Sequence, residues 1–289
     1  MFDGLLEPFA YGYMTNAILI SALVGGLCAF LSSYLMLKGW SLMGDALAHS
    51  IVPGVALAYL LALPYAVGAF FAGLLASLSM AVVKGTTKLR EDAVIGLVFT
   101  VFFATGLLIA SINPTAVNIQ TIVLGNILAI SSEDTLQVVA ISCVCFLVLG
   151  LKWKDLAAVF FDETHARTIG LSVKGLQIVF FTLLSATVVA ALQVVGAVLV
   201  IGMLVTPGAT AYLLTDRFGR LILLAILMGS ATGGLGAYAS YYLDVSPGGL
   251  IVSLQTAVFL LAFFLAPKHG LLPRKRAARR AALAARAAG

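Results

Sequence analysis

Two side chains stand out by type and spacing. Asp45 and His49 lie within the run K-G-W-S-L-M-G-D-A-L-A-H-S-I-V-P-G at 38–54. A carboxylate and an imidazole four residues apart share one face of a helix, a single turn from each other. Most of their neighbours are apolar, and an ionisable group at membrane depth is costly and marks a functional site by default. If the helix begins near Ser41, His49 lies about 12 Å along it. That is close to the middle of a hydrocarbon core about 30 Å thick. One oxygen and one nitrogen ligand so placed can grip a single divalent cation, and the pair suits manganese, ferrous iron or zinc. A pore site should carry few ligands, because the ion must leave as well as enter. The same two residues could instead form a structural hydrogen bond between helices, or a proton relay. Spacing alone leaves all three open.

A second group sits in the polar segment 152–174. The run F-F-D-E-T-H-A-R-T-I-G-L at 160–171 reads as a short helix with both ends marked. Asp162 is a good N-cap, Glu163 favours the first turn, and Gly170 is a good residue just past the C-cap. His165, Ala166 and Arg167 would form its body and Leu171 would follow its end. Such a helix could dock into a partner or serve as an ordinary connector between spans. Absences narrow the chemistry. No G-x-x-x-x-G-K-[ST] phosphate loop occurs, and neither H-E-x-x-H nor G-x-S-x-G is present.

The elements that position these groups follow from composition. The chain is 62% hydrophobic and 10% charged, against about 25% charged in a soluble domain. Apolar stretches fall at 17–37, 42–63, 66–83, 93–112, 135–151, 173–192, 194–214, 221–243 and 249–266. Each is near the roughly 20 residues a spanning helix needs. An all-α, polytopic membrane bundle of eight to nine spans is therefore expected, with a short N-terminal segment at 1–16, a membrane domain at 17–267 and a basic tail at 268–289. The N-terminus has no basic region and no small-residue cleavage site, so no removable signal peptide is expected. The piece 121–130 is too short to span and reads as re-entrant or interfacial.

Sidedness comes from Lys and Arg. Nine crossings with the N-terminus outside put all 17 basic residues on the cytoplasmic side, including Lys38, Lys84, Lys152, Arg167, Arg217 and the tail. Asp3, Glu7, Glu133, Asp134 and Asp244 fall on the other side. With its basic residues confined to short loops and the tail, the chain has no nucleic-acid signature; the tail is expected to lie on anionic lipid. Cys28, Cys143 and Cys145 sit in apolar runs and read as small packing residues. Pro53 and Pro207 lie inside spans, where a broken helix persists only if protein or a watery cavity covers the freed backbone groups. Both are candidates for helix breaks along a pathway.

The run S-L-M-G-D-A-L-A-H-S-I-V-P-G resembles the signature of the membrane permeases of metal-ion ABC importers, the manganese, zinc and iron family. So do I-V-L-G-N-I-L at 122–128, F-D-E-T-H-A-R-T-I-G-L at 161–171 and A-L-Q-V-V-G-A-V-L-V-I-G-M-L-V-T-P-G-A-T-A-Y-L-L at 191–214. The four occur in order and span nearly the whole chain, with the manganese and chelated-iron branch most similar. The resemblance implies a type II ABC importer fold in the bacterial cytoplasmic membrane, with two permease subunits, alike or related, around one path. It implies cytoplasmic ATP-binding subunits, an extracytoplasmic metal-binding protein, and no catalysis on this chain. It matches Asp45 and His49 to the metal-contacting pair, and the segment 162–171 to the helix that couples to the ATPase. The ion, Mn2+, Fe2+ or Zn2+, would be cargo rather than a resident cofactor.

Overall fold

The computed structural model describes residues 3–112, 131–266 and 270. Twelve α-helices run along these residues: α1 Asp3–Ala10, α2 Gly12–Lys38, α3 Met43–Ser50, α4 Val52–Leu60, α5 Tyr65–Thr86, α6 Glu91–Ile112, α7 Ser132–Phe161, α8 Glu163–Thr168, α9 Val173–Val195, α10 Ala197–Leu214, α11 Phe218–Leu243 and α12 Pro247–Leu265. No strand occurs among the described residues. In lipid every backbone N–H and C=O must be satisfied within the protein, and helices do this segment by segment. Eight spans, with α3 and α4 together making one of them, are long and apolar enough to cross a membrane. The expected stretch 121–130 and the tail beyond 270 lie outside the described residues.

Helices α2 and α9 form the buried centre of the bundle. The other long helices leave large apolar side chains outward, such as Leu97, Val101, Leu108, Leu147 and Leu261. A surface of this kind is stable only against lipid or another apolar surface. Helix α2 packs most extensively against α11, and small residues permit it. A methyl group at Gly25 would overlap the carbonyl of Gly229, and one at Gly229 would overlap the carbonyl of Gly25. Close backbone approach of this sort drives helix association where no hydrophobic effect operates. The same device joins α4 to α5 through Gly54 and Gly68.

The helix ends carrying Lys38, Lys84, Lys152, Arg167, Lys174 and Arg217 gather at one end of the bundle. Contacts between distant segments establish this. Tyr34, fully buried, donates to the Trp153 carbonyl at 3.0 Å and rests edge-on against Phe160, Phe180 and Phe218.

Four expectations shift. The first span starts earlier than 17: α2 is 27 residues long, about 40 Å, so its first turns, with Tyr13 tilted against Tyr11 at the cap, extend past the hydrocarbon core. The stretch 135–151 is the middle of a longer helix, α7, because nothing between Leu151 and Phe161 breaks a helix. The stretch 42–63 is two helices, broken at Ile51. Finally, the stretch 194–214 starts later than expected: α9 runs on to Val195, Gly196 turns the chain at φ 83°, and α10 covers Ala197–Leu214.

Candidate metal path and coupling helix

Helix α3 explains why two polar side chains can sit in this bundle. Met43, Gly44, Ala46, Leu47, Ala48 and Ser50 are buried against neighbouring helices. Asp45 and His49 are the exceptions, with side chains 41% and 29% exposed. One stripe of an otherwise covered helix is left open, and the two ionisable groups fill it. His49 Nε2 lies 3.4 Å from Asp45 Oδ1, at the helical i,i+4 spacing. For ligand distances of about 2.1 Å, a cation touching both atoms subtends an angle of about 108° at the metal. The rings of Phe99 and Phe103 lie 5.8 and 5.6 Å from the imidazole, which restricts its rotation. Among the described residues no group of three or more His, Cys, Asp or Glu is assembled.

Both ends of α3 are breaks. Before it, Gly39 takes the left-handed conformation, φ 76° and ψ 22°, while its N–H bonds to the Met36 carbonyl and that of Trp40 to Leu35. This pattern ends a helix sharply. After it, Pro53 has no N–H to offer the His49 carbonyl, and its ring crowds that carbonyl. The helix accordingly stops at Ser50 and restarts at Val52.

Pro207 behaves differently, because α10 runs through it without interruption. Ser32 on α2 braces the backbone on either side of it. Its hydroxyl accepts from the Gly208 N–H at 3.0 Å and donates to the Val205 carbonyl at 3.2 Å. Of the two expected proline breaks, only that at Pro53 is formed.

Helix α8 is capped as its sequence requires. The Asp162 carboxylate accepts from the N–H groups of Thr164 at 2.8 Å and His165 at 3.1 Å. These two bonds, the one from His165 foremost, hold its carboxyl below the usual carboxylate range. At the other end Gly170 has φ 82°. The N–H of Leu171 reaches the Ala166 carbonyl and that of Gly170 reaches Arg167, a complete Schellman motif. Ala166 is fully buried, while His165 and Arg167 are exposed and Phe161 and Ile169 are 82% and 56% exposed. The helix is thus pinned from beneath and presents an apolar and basic face outward.

Several contributors to this arrangement carry little signal in sequence. Phe99 and Phe103, spaced four apart on α6, could have been noticed as an aromatic pair. Lys38 was visible only as a topology marker, yet its ammonium donates to Glu163 at 3.0 Å. Trp40 donates to Glu91 at 2.6 Å, and nothing in their local context foretold it.

Comparison with known proteins gives a consistent picture. A model described as the ABC 3 transport family matches residues 10–266. The chain is 66% identical over 272 residues to the chelated iron transport system membrane protein YfeC of Yersinia pestis, covering 94% of this chain and 92% of that one. It is 47% identical over 274 residues to the manganese transport system membrane protein MntB of Synechocystis sp., covering 94% and 89% respectively. Among solved structures, PsaBC from Streptococcus pneumoniae in complex with Fab is similar over 95% of this chain and 100% of that one. The TM-score there is 0.83 and the identity 32%.

Proposed function

The chain belongs to the ABC 3 transport family, and on that premise we propose how its residues divide the work of moving a metal ion. It is the membrane permease subunit of an ABC importer for a divalent transition metal, manganese or iron. The observation that carries the mechanism is the open stripe on α3. Asp45 offers a charged oxygen that offsets a dication, and His49 offers a neutral nitrogen. An ion entering from the acidic end meets both at once. It leaves toward the basic end when the helices around α3 rearrange.

The chain supplies no phosphate loop, so ATP is hydrolysed on cytoplasmic partner subunits. These grip the outward face of α8, with Arg167, His165, Phe161 and Ile169 as the contact. An extracytoplasmic metal-binding protein delivers the ion at the other end, and a second permease subunit closes the path. The basic end is cytoplasmic in this reading, and the membrane is the bacterial inner membrane. ATP biases a two-state equilibrium only by interacting differently with the two conformations.

The experiment is uptake of radioactive manganese or iron, normalised to permease in the membrane, for Asp45→Asn, His49→Ala and the double variant. If both ligate one ion, each single change abolishes most uptake and the double is little worse, because residues acting as a unit are not additive. A structural pair instead lowers the amount of folded permease and keeps transport per molecule. Normal uptake per molecule in His49→Ala refutes the site.

A further inference from the structure

We propose that Lys38, Glu163, Trp40 and Glu91 form a clasp through which movement of α8 reaches Asp45 and His49. The proposal rests on the reading of α8 as the grip of the ATP-hydrolysing subunit, and deepens it by naming the residues that pass the movement on. They act as positioning residues, since none of the four touches the ion.

The connections are short at every step. Glu163 is the first residue of α8, and its Oε1 accepts from Lys38 Nζ at 3.0 Å and from Gln177 Nε2 on α9 at 3.3 Å. Lys38 is the last residue of α2, and the left-handed Gly39 turns the chain directly into Trp40. The Trp40 indole N–H donates to Glu91 Oε2 at 2.6 Å, and its ring stacks on Phe181 at 5.7 Å. From here two routes run to the metal pair. One passes through the turn into α3, where Asp45 lies two residues past the start. The other passes from Glu91, the first residue of α6, up that helix to Phe99 and Phe103, which flank His49. Glu91 is also held by Lys84 at 3.2 Å, which anchors the clasp to α5.

Three observations favour transmission over simple bracing. Partly exposed ion pairs contribute little to stability, and Lys38 and Glu163 are 22% and 37% exposed. A cavity of about 660 Å³ opens beside the clasp, lined by Lys38, Trp40, Lys84, Glu91 and Glu163 among others, which leaves room on one side of the turn. Lastly, α3 is a rigid rod of eight residues between two breaks, at Gly39 and Ile51, which is how hinged elements are built. Coupling requires an element with two arrangements, and α3, whose helical bonding is interrupted at both ends, is the element that supplies one.

The test uses the permease reconstituted in liposomes with its ATP-hydrolysing subunits and metal-binding protein. Lys38→Met and Glu163→Gln each break the ion pair and keep side-chain length. The expected result is a loss of about tenfold in Mn2+ taken up per ATP hydrolysed, within the usual range of coupling between sites. Binding of Mn2+ to the purified variants stays as in the parent chain. The charge exchange, Lys38→Glu with Glu163→Lys, restores most of the lost coupling. Uptake per ATP unchanged in Lys38→Met overturns the proposal, as does failure of the exchange to rescue. Arg167→Glu separates the two readings. If it leaves subunit assembly and coupling intact, α8 is not the grip and both readings fall. If it breaks assembly while Lys38→Met is silent, only the clasp fails.

Discussion

Gly170→Val isolates the contribution of one backbone conformation to coupling. Gly170 has φ 82° and its N–H closes the Schellman motif onto Arg167. A side chain built there would meet nothing within 4 Å, so the substitution carries no steric penalty from neighbours. The whole cost is conformational, about 1–2 kcal/mol for an L-residue in the left-handed region and toward the upper figure for a β-branched one. A loss of that size lowers the ratio of capped to frayed α8 by about 5- to 30-fold. Two measurements should report it. Amide hydrogen exchange at Gly170's replacement and at Leu171 should quicken by a similar factor, since those N–H groups lose their carbonyls. Uptake per ATP hydrolysed should fall while insertion of the permease is unchanged. Gly170→Asn should be much milder, because Asn tolerates this conformation. Gly96→Ala and Gly150→Ala are controls: both glycines face open space within helices and should lose nothing. Wild-type exchange and coupling in Gly170→Val, or equal damage from Asn and Val, would refute the reasoning.

Three further outcomes are expected. Ser32→Ala removes the two hydrogen bonds that tie α2 to the backbone on either side of Pro207, costing about 1–3 kcal/mol; an unchanged thermal midpoint in detergent would show that these bonds add nothing to stability. For Asp162, the folded carboxyl sits below its unfolded value. Its contribution to α8 is therefore fully present above the unfolded value of about 4 and is lost as pH falls through the lower folded value. Intrinsic-rate-corrected exchange at Thr164 and His165 should be flat from neutral pH to about 4 and rise only below. In Asp162→Asn that rise should vanish, and a rise at mildly acid pH in the parent chain would contradict the assignment. A reporter fused after Gly289 should be active only in its cytoplasmic form; activity of a reporter that needs the extracytoplasmic space would invert the topology.

Much of α8 was legible in the chain. Asp162 and Gly170 act through bonds that span two to five residues, and such bonds depend on local sequence. The proline positions show where this ends. Pro53 and Pro207 look alike as sequence, and both remove one helical donor. At Pro53 the helix breaks. At Pro207 it continues, with a hydroxyl from α2 bonded to the backbone on either side of it. The sequence distance between Ser32 and Gly208 is 176 residues, and nothing local to either predicts the meeting.

By itself the sequence determined the class of structure, the approximate spans, the separation of basic from acidic ends and the one-turn spacing of Asp45 and His49. All of these follow from composition, from charge placement or from helical periodicity. Only the tertiary structure decided that α3 is covered on every side but that one, that Phe99 and Phe103 bracket the imidazole, and that Lys38 meets Glu163 across 125 residues. The physical reason lies in the solvent. A soluble helix announces its buried face by an apolar stripe. A helix facing lipid is apolar all round, so its rotation and its neighbours are set by how Gly, Ser and Ala let backbones approach, and that appears only when the helices are packed together.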